Sequence, residues 1–111
     1  MPASNPHSAV SPLDSATSPV LRRRVLVSGR VQGVGYRQTC AEVARRNGVQ
    51  GWVRNRRDRR VEALLEGPAP AVHAVIEWCR QGPLGAVVSD VEVVEETGVE
   101  VLVGFRIAST V

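Results

Sequence analysis

The stretch GRVQGVGYR, residues 29–37, sets Gly33 and Gly35 two positions apart and follows them with Arg37. Glycines so placed permit positive φ angles and close backbone approach, so Gly33, Val34, Gly35 and Tyr36 can curl their N–H groups into a concave nest of phosphate size. A helix beginning at this point would add the unpaired N–H groups of its first turn, and Arg37 in that turn a guanidinium fork. The chemistry on offer is anion binding. Commoner phosphate loops do not fit: there is no Gly-Lys-Ser/Thr ending of a Walker loop, and the third glycine and downstream acid of a dinucleotide fingerprint are missing. On these residues alone a phosphate-binding loop and a purely structural turn both stay open. Asn55, closing the segment GWVRN, reads by itself as a turn asparagine that hydrogen-bonds its own backbone where a strand ends.

Other reactive side chains offer less. Cys40 and Cys79 are the only cysteines, too few for a disulfide framework and without metal-ligand spacing, so they read as buried reduced thiols, with a bridge between them as the minority case. His73 lies beside an apolar helical stripe with no second ligand in reach and reads as a surface histidine; His7 reads as solvated. No metal site and no cofactor are expected.

The elements that must position the loop follow from periodicity. Val25, Val27, Gly29 and Val31 alternate with Leu26, Ser28 and Arg30 in a first strand that starts at Arg22. The run YRQTCAEVARRNG places Cys40, Val43 and Ala44 at helical spacing, Arg45 and Arg46 in the last turn, and Asn47-Gly48 as the stop. Two strands, VQGWVRN and RVEALLEG, flank the polar turn RRDR as a hairpin. A second helix over PAPAVHAVIEWCRQG has Val72, Val75, Ile76 and Cys79 on one face, Pro68 and Pro70 at its start and Gly82 at its end. Val87, Val91 and Val93 form a fourth strand, and alternation from Val99 through Val101, Val103 and Phe105 to Ile107 predicts a fifth. The order β-α-β-β-α-β plus one strand is the α+β, ferredoxin-like arrangement: an antiparallel sheet with two helices on one face.

The 111 residues, 43% hydrophobic, fit one domain over residues 21–111, preceded by a Pro/Ser/Ala-rich tail over 1–20 that reads as disordered. No membrane-spanning run and no signal-like segment occur, so the expectation is a cytoplasmic monomer. Residues 1–60 hold twelve arginines against three acids, and residues 61–111 two arginines against eight acids, so balances of +9 and −6 lie behind a net +3. A basic pole favours an anionic partner; a solvated arginine-rich face would give the same counts.

GRVQGVGYR, followed about fifteen residues later by GWVRN and then VE, resembles the acylphosphatase family over roughly residues 22–108. The resemblance implies that Gly33 to Arg37 form a phosphate cradle with Arg37 as the principal binding side chain, and that Asn55 holds the attacking water. It implies hydrolysis of a small-molecule acyl phosphate. That reaction expels a carboxylate whose conjugate acid has a pKa of about 4, so no general acid is required at neutral pH. One departure stands out: NRRDRRVE has Arg59 where the family usually has a turn glycine. Either Arg59 is strained, or Asp58 takes the left-handed position, or the turn is of another type. Two further readings remain: a non-catalytic accessory domain of the same fold, and a basic RNA-binding module. The second needs stacking aromatics on the sheet's exposed face, which the strands RRRVLVSG and RVEALLEG lack, so no nucleic-acid partner is expected.

Overall fold

The computed structural model describes residues 18–111. The tail expected over residues 1–20 lies mostly outside that range, and at its end Val20 already pairs with Pro68 while Pro19 O accepts from Ala69 N–H. The elements are β1 (Val20–Arg30), α1 (Tyr36–Arg46), β2 (Gln50–Asn55), β3 (Val61–Pro68), α2 (Ala69–Gln81), β4 (Val87–Glu95) and β5 (Phe105–Ile107). They form the ferredoxin-like sheet expected, in the order β4-β1-β3-β2-β5.

Alternation builds the core. Val25 and Val27 of β1, Val53 of β2, and Val61, Ala63 and Leu65 of β3 turn to the face covered by the helices, where Cys40, Ala41 and Ala44 of α1 meet Val72, Val75, Ile76 and Cys79 of α2. The residues at α1's contact are small, which suits close approach of helix to sheet. Pro68 and Pro70 start α2 and Gly82, at φ 71°, ends it, as their types require.

Two expectations need correction. Each of the four ferredoxin-like strands is antiparallel to its neighbours among them, but β5 joins β2 in parallel, so the sheet is mixed. The fifth strand is also confined to Phe105–Ile107. Its parallel register sets Gly51 opposite Phe105, so residues before Gly104 would have to pair with Asn47–Val49, which form the exit turn of α1. Without a partner strand, the alternation from Val99 points outward: Val99, Val101 and Val103 are 99%, 83% and 85% exposed, and Leu102 is the residue that turns in.

The outer face of the sheet accounts for much of the arginine. Glu62 on β3 is fully buried and is held by Arg24 Nη1 at 2.6 Å, Arg54 Nε at 2.9 Å and Arg56 Nη1 at 3.3 Å. Arg24 also bonds Glu96 and Arg22 bonds Glu66 on this face, while Arg23, on the opposite face by alternation, reaches Glu95. Burial alone would push the Glu62 carboxyl up; the hydrogen bond from Arg54 and the charges of Arg54 and Arg24 outweigh it and hold the group below its ordinary range. The basic and acidic halves of the chain are thus interleaved strand by strand.

Candidate active site

The glycine loop leaves β1 at Arg30 and enters α1 at Tyr36. Gly33 and Gly35 both adopt φ 77°, the left-handed region that a side chain disfavours, and a Cβ built on either would meet nothing within 4 Å. The demand here is conformational, and the expected close backbone approach is not what these positions impose. Thr39 N–H donates to Gly35 O at 3.1 Å, the first bond of α1, while the N–H groups from Gly33 to Gln38 donate to no group among the described residues. The first turn of α1 carries no acid, so the positive end of its dipole is unopposed.

Side chains anchor this loop from below. Val34 packs against the core cluster. Tyr36 is buried, its ring 5.0 Å from that of Trp78, and its hydroxyl donates to Cys79 O at 2.7 Å. Burial pushes its phenol above the ordinary range, helped by the neighbouring cysteines. The Tyr36 ring is therefore committed to the core, and its N–H is the group left unpaired at the loop. Arg37, the next residue, is half-buried and has no ion-pair or hydrogen-bond partner among the described residues.

Asn55 ends β2 opposite Val61. By strand alternation it shares the core-side face with Gly51 and Val53. Its Oδ1 is the one buried side-chain N or O atom without a hydrogen-bond partner among the described residues. It does not bond its own turn, so the reading of Asn55 as a self-bonding turn asparagine is not what the structure has. Its backbone is held from both sides: by the ladder to β3, and by residue 111, whose N–H donates to Asn55 O at 3.2 Å while its O accepts from Arg57 N–H at 2.6 Å.

The turn after Asn55 settles the question raised by Arg59. Arg59 N–H donates to Arg56 O at 3.0 Å, Arg56 N–H donates to Arg60 O at 2.8 Å, and Arg59 sits at φ 79°, the only non-glycine with positive φ among the described residues. This is a three-residue hairpin loop whose last residue takes the left-handed position. Asp58 fixes it by accepting from Arg60 N–H and from the guanidinium groups of Arg56 and Arg60, and the hydrogen bonds from Arg60 hold its carboxyl well below the usual range.

One residue that sequence reasoning missed joins the two parts. Gln32 Nε2 donates to Arg56 O at 2.8 Å and to Arg60 O at 3.0 Å, setting the hairpin against the glycine loop. Its partners lie 24 and 28 residues away, so no local pattern marks it. Arg30, Arg37, Arg57 and Arg59 are not in the ion pairs of the outer face and all lie at this end of the sheet, which makes it electropositive. A surface groove lined by Arg80, Val88, Ser89, Asp90 and Val91 runs along β4 and includes none of the site residues. His73 is exposed on α2, and Trp52 lies on the outer face under the Arg54 guanidinium, 4.3 Å from its ring centre; neither belongs to the site. No group of three or more His, Cys, Asp or Glu residues placed to hold a metal occurs among the described residues.

The sequence profile of the Acylphosphatase family matches residues 23–107. An acylphosphatase of Pyrobaculum aerophilum is 54% identical over 91 residues, 81% of this chain and 96% of its own. One from Pyrobaculum arsenaticum is 63% identical over 73 residues, covering 65% of this chain and 77% of its own. The crystal structure of acylphosphatase from Bacillus subtilis superposes with a TM-score of 0.76 at 40% identity, over 79% of this chain and 98% of that one. With a matching profile over most of its length and relatives this similar on either side of the same fold, the chain belongs to the acylphosphatase family, enzymes that hydrolyse acyl phosphates.

Proposed function

We propose that this acylphosphatase binds the phosphoryl group of a small acyl phosphate in the cradle of N–H groups from Gly33 to Arg37, with the Arg37 guanidinium closing it, and that Asn55 orients the attacking water. The observation that carries the reading is the buried, unpaired Oδ1 of Asn55 at the strand end that Gln32 ties to the glycine loop. An acceptor left unpaired away from water is costly, about 1–3 kcal/mol, and such positions are kept where a ligand or water supplies the missing partner.

The chemistry needs little else. The reaction R–CO–O–PO₃²⁻ + H₂O → R–COO⁻ + H₂PO₄⁻ breaks the P–O bond to a leaving group that is stable as an anion, and the water's proton ends on phosphate. Charge on the three equatorial oxygens is met by fixed N–H donors and the guanidinium, which need no reorganisation as the bond lengthens. Asn55, a poor base, fixes the water's direction through its amide without taking its proton. No step calls for a metal or cofactor, so turnover is expected to be insensitive to chelator.

Cytoplasmic location, a monomeric state and the lack of a nucleic-acid partner belong to the same proposal. Two buried free thiols, Cys40 and Cys79, suit a reducing compartment, and the sheet's outer face is filled by the Glu62 ion cluster where an RNA platform would need stacking rings. The deciding assay compares an aromatic acyl phosphate with a simple phosphate monoester, with and without chelator, for wild type, Arg37→Ala and Asn55→Ala. Turnover of the acyl phosphate alone, reduced roughly 100-fold or more by either substitution, is expected. Either variant retaining wild-type kcat would remove that residue from the mechanism.

A further inference from the structure

We propose that Gln32 is a positioning residue that fastens the hairpin bearing Asn55 to the anion cradle, so that the water-holding and phosphate-holding parts of the site move as one body. The proposal rests on the role given to Asn55 above. The Gln32 carboxamide has two N–H protons, and Nε2 donates to both carbonyls at the mouth of the hairpin turn, Arg56 O at 2.8 Å and Arg60 O at 3.0 Å. In sequence Gln32 directly precedes Gly33, the first left-handed residue of the cradle, and Arg56 directly follows Asn55. The contact therefore joins the residue next to the phosphate site with the residue next to the water site. It is the only side-chain hydrogen bond from residues 31–35 to the hairpin among the described residues.

One row of the sheet also runs between the two parts, because Val61 pairs with Asn55 on one side and with Val27 of β1 on the other. That row and the bonds to residue 111 place Asn55 relative to β1 at Val27, but they stop short of the loop after Arg30, whose side-chain tie to the hairpin is Gln32. In-line attack tolerates little displacement of the water from the phosphorus, and a shift of about 1 Å can cost roughly 100-fold in rate. Both carbonyls keep a backbone donor without Gln32: Arg59 N–H for Arg56 O, and Arg56 N–H for Arg60 O. Replacing Gln32 thus orphans neither acceptor, and the fold should survive it.

The test uses Gln32→Met, of similar length without donors, and Gln32→Glu, of the same shape but able only to accept from two groups that also only accept. For each, kcat on an aromatic acyl phosphate and the Kd of inorganic phosphate are measured well below the melting temperature. The expected result is a kcat lowered about 10- to 100-fold with phosphate Kd within about threefold of wild type. An unchanged kcat in a folded variant overturns the proposal. So does parallel loss of kcat and phosphate affinity, which would place Gln32 in the cradle alone. Asn55→Ala, measured alongside, separates the two claims: wild-type turnover there removes the role of Asn55, whereas an inactive Asn55→Ala with unaffected Gln32 variants removes only the linkage. Should neither variant fold, amide exchange in the wild type decides. Inorganic phosphate should then slow exchange at Arg56 and Arg59 N–H, and unaltered exchange at both overturns the coupling.

Discussion

Replacing Arg59 by glycine should stabilise the protein, and the expected size can be worked out from the turn. At φ 79° the Cβ of Arg59 crowds the backbone, a strain of about 1–2 kcal/mol for a residue in the left-handed region. Glycine relieves it but adds freedom to the unfolded chain, which gives back about 0.4–1 kcal/mol. Arg59 is exposed and its guanidinium has no partner among the described residues, so no contact is lost, and the N–H bond to Arg56 O survives the change. The net gain is about 0.5 kcal/mol, equivalent to a rise in Tm of about 2–4 °C for a domain of this size. Arg59→Ala is the matched control, because it removes the guanidinium and keeps the Cβ; its Tm should stay near wild type. Thermal unfolding followed by circular dichroism reads both. A clear fall in Tm for Arg59→Gly, or an equal gain in Arg59→Ala, would refute the reasoning, the first by denying the strain and the second by tracing it to charge.

Glu62→Gln should cost about 1.5–3 kcal/mol, because a buried carboxylate accepting charge-assisted bonds from three arginines is replaced by an amide; denaturant titration reads it as a lower midpoint. The pH dependence has a definite sign. The carboxyl of Glu62 is held below its unfolded value, so its contribution is full above the unfolded pKa of about 4.3 and is lost as pH falls through the lower folded value. Wild-type Tm should therefore drop on acidification below pH 4, and Glu62→Gln should drop less steeply. Cys40 and Cys79 are free and fully buried, so an aromatic disulfide reagent should label neither until the protein unfolds. Rapid labelling under native conditions would contradict the packing of α1 on α2.

How far the sequence disclosed this depended on the range over which each interaction acts. The left-handed glycines, the start of α1 and the face of α2 are dictated within a few residues, so spacing alone locates them. Arg59 was legible as a conflict between residue type and turn, though only the hydrogen bonds of the turn show that Arg59, and not Asp58, carries the positive φ. The truncated β5 was not legible, because outward-facing valines alternate just as inward-facing ones do; what decides is whether a neighbouring strand extends far enough to pair. Gln32 and the brace on Asn55 from residue 111 depend on chain segments brought together only by the finished sheet. The charge imbalance between the two halves was real as a count and misleading as a map, since β1 lies between β3 and β4 and meets their acids directly.

That interleaving bears on how the molecule is divided between scaffold and chemistry. Gln32, Arg37, Asn55 and the turn to Arg60 all precede the exposed Leu84, and no residue of the proposed mechanism follows it. Residues 18–84 carry thirteen arginines against five acids, and residues 85–111 one arginine against five acids, or +8 facing −4. A chain severed at Leu84 would yield one piece holding the whole reactive apparatus and another holding β4, the strand that completes β1, with Glu95 and Glu96 to meet its arginines. The acidic piece would be drawn to the basic one by charge, and through residue 111 it would restore the brace on Asn55, so rejoining should weaken as salt rises.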